Sequence, residues 1–571
     1  MTTIEAEPAP TLTDAPAEPR SPWVRLGYAL AIVLVPLMLL ALLLPPVRGK
    51  AADQKQDWVL GLAIGTAIAS AVAYFVPSPM FPRKHGTLPL IVFGTAMLLI
   101  ANVMWNRSFL DYTRRPDAPH NEVFRRAMRN FHAPVYGRYD NAIARSKDAA
   151  PPYSYRTLPW VIVTSAVAIG WFTWARRRPL EKRWDAASFA VLCGFMLAMI
   201  VLFALCEPPG KPAQWAPLRF TLQLSGYSEF ASDIPAFTGV RDTLATYVEK
   251  MPKLNWYGQH YPPGNLILLT MEKQLGVPGL TKATVCLLTA LTVLPLYLLA
   301  KELELDDVAT SLTLLLFATT TGVLIYATLN TTSMVMFPGT TCLWLLVRAL
   351  RRGDVPAMML LGVFYTVYLF LSFSASILGV FMALTTLLGW WSGAFRLRNV
   401  LLTGAVSLAC LFATVLLVYV TTRFNLIACF ITAIRGHQSQ QGNEGFDDPM
   451  RWWLRSSGNI IAYTLSIVPL SILAISAAVW LVFAKPQADG ERIKRSVFVA
   501  TVATVLIAAF SGLFYVETER IWIFLTPPFA LAAGYELTRR ARREGPAMIY
   551  VVLFLVIAIG CTQEFFFQHY R

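Results

Sequence analysis

Three short stretches carry residues whose types and spacing suit chemistry. The first, Gly226-Tyr-Ser-Glu229-Phe-Ala-Ser-Asp233-Ile-Pro-Ala-Phe237, sets Asp233 among apolar neighbours just outside an apolar run. Loss of surrounding water disfavours a charged carboxylate, raises its proton affinity and makes it a usable general base. Glu229, four residues earlier, is the rival carboxylate, and a solvated loop acid with no chemical duty is the plain alternative for both. The second stretch is His260-Tyr261-Pro262-Pro263-Gly264. Two prolines stiffen the backbone and remove two N–H donors, so His260 and Tyr261 leave a rigid stem at the start of the next helix. Such a histidine suits donation to a phosphate headgroup; a helix cap with interfacial aromatics explains the same residues equally well. The third is Glu517-Thr-Glu519-Arg520, a charged turn between two apolar runs. Arg520 offers a planar fork of donors matched to phosphate, which Glu517 or Glu519 can orient. A plain hairpin needs no such charge density beside a membrane, and this favours a functional reading.

The elements that must position these residues are membrane helices. Of 571 residues 56% are apolar and only 15% charged, and the mean hydropathy is +0.51. Soluble chains run nearer about 45–50% apolar and about 25% charged, which excludes a soluble enzyme, a disordered chain and a disulfide scaffold. About fifteen apolar runs are legible, near 26–44, 58–76, 88–105, 157–174, 186–206, 264–300 (a short leading piece, then the span), 308–327, 334–349, 356–371, 376–391, 399–421, 458–483, 496–515, 521–537 and 546–562. Residues 1–21, rich in Pro, Ala and Glu, read as a disordered tail without the basic start and cleavage site of a signal peptide.

The net charge of +15 comes largely from basic clusters in short loops, at 83–84, 176–183, 348–352, 396–398, 485–495 and 539–543. Counting spans puts all of them and the N-terminus on one side, the cytoplasm by the positive-inside rule, and this ordinary topological signal leaves nucleic acid little support as a partner. The loop 106–156 disagrees, with ten Lys and Arg on the outer side; its length weakens its weight in topology. The outer face then holds the long loops 106–156, 207–263 and 422–457 and the short turn 516–520.

Other candidates are weaker. The stretch 435–455, with His437, Asp447, Asp448, Trp452 and Trp453, reads as a polar loop with an aromatic anchor. Ser372, Ser374 and Ser376 read as helix-packing serines. The seven cysteines lack CxxC spacing and read as small core residues. No histidine cluster has metal-ligand spacing, and Asp233 with Glu229 is too thin a set to assert a divalent ion, so no cofactor is expected. No P-loop or nucleotide fingerprint is evident.

These pieces, in this order and on one side, resemble the membrane-embedded GT-C glycosyltransferases, over roughly residues 185–540. The carriers are Asp233 in a large outer loop, the Pro262-Pro263-Gly264 helix start and the late Glu517-to-Arg520 turn. The resemblance implies an all-α, GT-C-like polytopic bundle whose active site faces the extracytoplasmic side. It implies an inverting transfer of a sugar from a polyprenyl-phosphate donor to a glycan, lipid or protein acceptor, with Asp233 as base, Arg520 as phosphate clamp and His260 as headgroup donor. Two features depart from that pattern: four spans precede the helix before the acidic loop, and Tyr261 separates His260 from the prolines. Accordingly 22–184 reads as an added four-span module and 185–571 as the catalytic module, in a plasma or inner membrane. An O-antigen-ligase-like enzyme and a lipid or solute transporter are the alternatives; a transporter should carry ionisable residues at mid-membrane in several helices.

Overall fold

A computed structural model describes residues 60–61, 63–71, 74, 86–114, 158–177, 186–205, 230, 232–277, 279–329, 331–441, 449–484, 488–511 and 521–566. Every regular element among them is helical.

At the centre stands Asp307–Thr319, in which every residue from Ala309 to Thr319 is buried. A helix apolar on all sides belongs inside a bundle. Asp306 caps it, its side chain accepting from the Ala309 N–H at 2.8 Å. It packs along Thr526–Glu544. Their approach is close because Gly534 faces it: a Cβ there would meet the Thr313 backbone nitrogen at 2.8 Å, and small residues let membrane helices draw together in this way.

Among the described residues four stretches are long and apolar enough to cross a membrane, Leu280–Glu302, Thr331–Arg352, Leu397–Thr422 and Asp489–Phe510. A fifth candidate among the described residues is a pair of helices, Trp452–Ser466 with Leu470–Phe483, bent by 107° at Pro469, which has no N–H to continue the ladder. On Leu397–Thr422, Leu401, Phe412, Leu416 and Val420 are each 60–63% exposed. So continuous an apolar face is unstable against water and suits hydrocarbon; the chain is an integral membrane protein. Of the runs read from sequence, 26–44 lies outside the described residues, and 264–300 divides into Gly264–Leu275 and the span from Leu280. Thr87–Arg114 continues past the predicted end at 105.

One expectation is corrected. The described ends of the stretch 435–455 are helical, belonging to Leu426–Gln441 and Pro449–Ser466. Trp452 and Trp453 stand on the second of these and pack on Phe510, with ring centroids at 5.4 and 6.1 Å. The interspersed charges lower the averaged hydropathy there, while the apolar residues keep helical spacing and one buried face.

Ion pairs gather many of the basic segments at one end of the bundle. Arg352 bonds Glu302 at 2.8 Å, Arg351 pairs with Glu302 and Glu304, and Arg542 reaches Asp306 at 2.5 Å. Glu544 accepts from the Thr87 N–H at 2.9 Å, and Tyr535 donates to Glu491 at 3.1 Å. Glu536, fully buried, accepts from Arg540 at 2.6 Å, Arg539 at 2.8 Å and Ser476 at 2.7 Å. Helices that begin at this basic end, such as Val355–Leu371 and Leu397–Thr422, finish at the other, where residues 230–264 pack.

Candidate functional site

The stretch 232–263 is a small helical cap. Pro235 starts the short turn Ile234–Ala236, and Val240–Lys250 follows with Thr243 and Tyr247 turned inward. Asp242 in its first turn accepts from the Thr238 N–H at 2.9 Å, which holds its carboxyl below the usual range. Phe237, Tyr247, Met251 and Leu254 form an apolar cluster with Leu266, Phe424 and Cys429, fastening the cap onto the ends of two helices. Burying these side chains contributes roughly 1.5–3 kcal/mol each for the larger ones.

Asp233 ends up 6% exposed. Its Oδ1 accepts from the Asn255 N–H at 2.9 Å. Its Oδ2 is buried and, among the described residues, has no hydrogen-bond partner. Gly258 leaves room for that oxygen, since a Cβ at Gly258 would press directly into Oδ2. Burial pushes the Asp233 carboxyl above the ordinary carboxylate range, and the Asn255 N–H partly opposes the rise. Asn255 also braces both sides of the pocket. Its Oδ1 accepts from the Gly258 N–H at 2.9 Å and its Nδ2 donates to Ser232 Oγ at 2.6 Å, so it serves as N-cap of the Trp256–His260 turn.

Tyr247, wholly buried, holds the next four residues in shape. Its hydroxyl lies 2.9 Å from the Gly258 carbonyl and 2.8 Å from that of Tyr261, sharing one proton between them. Burial raises its pKa well above the usual phenol value, so it remains a donor. His260 ends the Trp256–His260 turn and is half-buried. Tyr261 is extended, its ring stacked on Tyr257 at 5.9 Å and edge-on to Phe230 at 5.8 Å. Pro262 and Pro263 are buried, and Pro263 caps Gly264–Leu275. A Cβ on Gly264 would strike the Phe370 carbonyl, so glycine permits the docking of this helix start on the end of Val355–Leu371.

Thus Asp233, His260 and Tyr261 share one cap, at the end of the bundle opposite the paired basic segments. Glu229, Glu517, Glu519 and Arg520 lie outside the described residues. Ser372 and Ser374 are buried and bonded to each other at 2.9 Å, with Tyr368 3.1 Å from Ser374; they tie the junction of two helices, as packing serines do. Among the described residues no three His, Cys, Asp or Glu side chains converge on a point that could hold a metal.

Two buried cations at the cap end were missed from sequence. Lys282, two residues into Leu280–Glu302, is 3% exposed, and Arg455, one turn after Trp452, is 1% exposed. Arg455 shares a stripe with Asn459 and Tyr463, and the Tyr463 ring lies 5.6 Å from both Trp522 and Phe529. A lysine opening an apolar run was the available signal for Lys282. The i, i+4, i+8 spacing was the signal for the Arg455 stripe.

No protein-family model matches the chain, and no curated protein matches it. Among solved structures it is similar to the oligosaccharyltransferase of Archaeoglobus fulgidus in complex with zinc and sulfate, at 14% identity and a TM-score of 0.43, over 65% of this chain and 53% of that one. It is also similar to the oligosaccharyltransferase AglB of the same archaeon in complex with an inhibitory peptide and a dolichol-phosphate. That match has 12% identity and a TM-score of 0.41, over 66% of this chain and 55% of that one. The chain therefore spans about half the length of each archaeal protein. Overlap at this level fixes neither a fold family nor an activity.

Proposed function

We propose that the protein is a GT-C-like membrane glycosyltransferase that moves a sugar from a polyprenyl-phosphate donor to an acceptor hydroxyl at the extracytoplasmic face. The observation that carries this reading is Asp233 Oδ2, a buried carboxylate oxygen with raised proton affinity and no hydrogen-bond donor among the described residues. In the reaction the acceptor hydroxyl gives its proton to Oδ2 and its oxygen bonds to the anomeric carbon. The bond from that carbon to the phosphate oxygen breaks, and polyprenyl phosphate leaves with the electron pair, so the configuration inverts. A phosphate is already a good leaving group, and catalysis needs mainly a base and positive charge where negative charge develops. Arg520 is the assigned phosphate clamp, with Glu517 or Glu519 orienting it and His260 and Tyr261 beside the headgroup. Lys282 and Arg455 add positive charge at the same end of the bundle. The full count of about fifteen spans, with the N-terminus cytoplasmic, belongs to this reading.

The test is sugar transfer by the purified protein offered a panel of polyprenyl-phosphate sugars and membrane-extract acceptors, read as release of lipid phosphate. Turnover by wild type that disappears in a well-folded Asp233→Asn supports the assignment. Equal turnover by that variant moves the base to Glu229 or Glu517, and no turnover with any donor removes the glycosyltransferase reading.

A further inference from the structure

The helix that starts at Gly264 carries a second buried acceptor in need of a donor. Asn265 is 3% exposed. Its Nδ2 donates to the Leu371 carbonyl at 3.4 Å, at the end of Val355–Leu371. A carbonyl can only accept, so the amide turns Nδ2 toward Leu371 and Oδ1 away from it. Among the described residues Oδ1 is buried and has no hydrogen-bond donor. The hydroxyls that follow Leu371 do not supply one: Ser372 and Ser374 bond each other at 2.9 Å, and Tyr368 lies 3.1 Å from Ser374. A buried acceptor left in this way is costly and calls for a physical reason.

Its place in the cap gives the reason. Asn265 and Leu269 stand one turn apart on one face of Gly264–Leu275. Leu269 packs with Phe230, and Ile234, Tyr257 and Tyr261 pack against that pair. Ile234 directly follows Asp233, and Tyr261 directly follows His260. A helical side chain leans toward the start of its own helix, which for Asn265 is the Tyr261-Pro262-Pro263 stretch. Asn265 Oδ1 and Asp233 Oδ2 are thus two buried acceptors without donors along one seam, where the cap meets Gly264–Leu275. Neither can satisfy the other, so a fitting ligand brings hydrogen to both. An alcohol with one hydroxyl fills only one of them, whereas a carbohydrate carries several.

We infer that Asn265 is a specificity-determining residue of the Asp233 site: its Oδ1 accepts from a carbohydrate hydroxyl other than the one whose proton Asp233 takes. This rests on the proposed glycosyltransferase function and adds that the site recognises sugar through two hydroxyls. The second belongs to an acceptor glycan or to the sugar of the donor. Both oxygens are closed off in this state, and the half-buried rings of Tyr257 and Tyr261 are what the sugar displaces.

Saturation-transfer NMR on the full-length, detergent-purified protein tests this without turnover, with methyl glycosides of pentoses and hexoses and their monodeoxy analogues as probes. At least one glycoside should bind wild type, and removing one of its hydroxyls should weaken binding about 10–100-fold, the range for one hydrogen bond to a buried acceptor. Asn265→Leu, close in shape, should weaken the parent glycoside by the same factor and be indifferent to that deletion, with an unfolding midpoint near that of wild type. Asn265→Ala reads the same step should leucine impair folding. In turnover, a KM raised for the acceptor alone assigns the hydroxyl to the acceptor, and one raised for the donor alone assigns it to the donor sugar. No glycoside bound by wild type, equal binding by a folded Asn265 variant, or weakened binding only alongside a lowered midpoint in both variants would each overturn the inference. Glycosides bound through Asn265 without any release of lipid phosphate would remove the transferase function alone. Turnover lost in Asp233→Asn but unchanged in Asn265→Leu would remove the Asn265 role alone.

Discussion

The two oxygens of Asp233 have different surroundings, and the proposed role as base rests on that difference. Oδ1 is anchored by the Asn255 N–H, and Oδ2 is buried over Gly258 with no donor among the described residues. Asp233→Asn is expected to lower turnover by about 10²–10⁴-fold, the range for a positioned base, with the fold retained by circular dichroism. The direction of the pKa change sets the pH dependence. A raised carboxyl contributes stability that is fully present below the unfolded value, about 3.9, and that is lost as pH rises through the folded value. Activity runs the other way and appears as the group ionises. The acid limb of kcat/KM should therefore lie above the ordinary carboxylate pH and vanish in Asp233→Asn. Gly258→Ala should push the carboxylate aside and reduce kcat by about 10²-fold for a displacement near 1 Å, together with a lower unfolding midpoint, because the new Cβ also meets Leu254 Cβ at 2.7 Å.

At the scale of elements, the cap works because its short helices share a few bonds. Tyr247 joins Val240–Lys250 to the Gly258 and Tyr261 carbonyls. Tyr247→Phe leaves those buried acceptors without their donor, at a cost of about 1–3 kcal/mol. The expected outcome is a lower unfolding midpoint in detergent and a weaker kcat. Both changes should be absent in Glu249→Gln, which alters an exposed side chain of the same helix. The Pro262-Pro263-Gly264 start was legible in the sequence as a rigid helix start, and the structure gives it a partner in the Phe370 carbonyl. The helical character of 449–455 was not legible, because averaged hydropathy cannot separate an amphipathic helix from a loop of the same composition.

At the scale of the whole molecule, a buried ionic cluster supports one end of the bundle and a small helical cap covers the other. Glu536 is fully buried between Arg539, Arg540 and Ser476. Glu536→Gln should destabilise the protein by about 3–5 kcal/mol, since a buried cation loses its counter-charge; thermal unfolding in detergent measures it. Orientation is tested with single cysteines in a cysteine-free background. Ser232→Cys should label with an impermeant maleimide from outside intact cells, and Asp489→Cys only after permeabilisation; the reverse pattern would invert the topology.

The membrane class, the all-helical fold and the order of the apolar runs were determined by the sequence itself, because hydrocarbon admits long apolar segments whose backbone bonds close within the segment. The gathering of basic runs on one side could be read from span counting alone, and Asp233 stood out by its apolar neighbours. Tertiary structure decided the rest. Whether Asp233 keeps an oxygen free depends on where the Asn255 N–H and Gly258 fall, more than twenty residues downstream. The burial of Lys282 and Arg455 depends on which helices surround them. These are distances between residues remote in the chain, and local pattern holds no record of them.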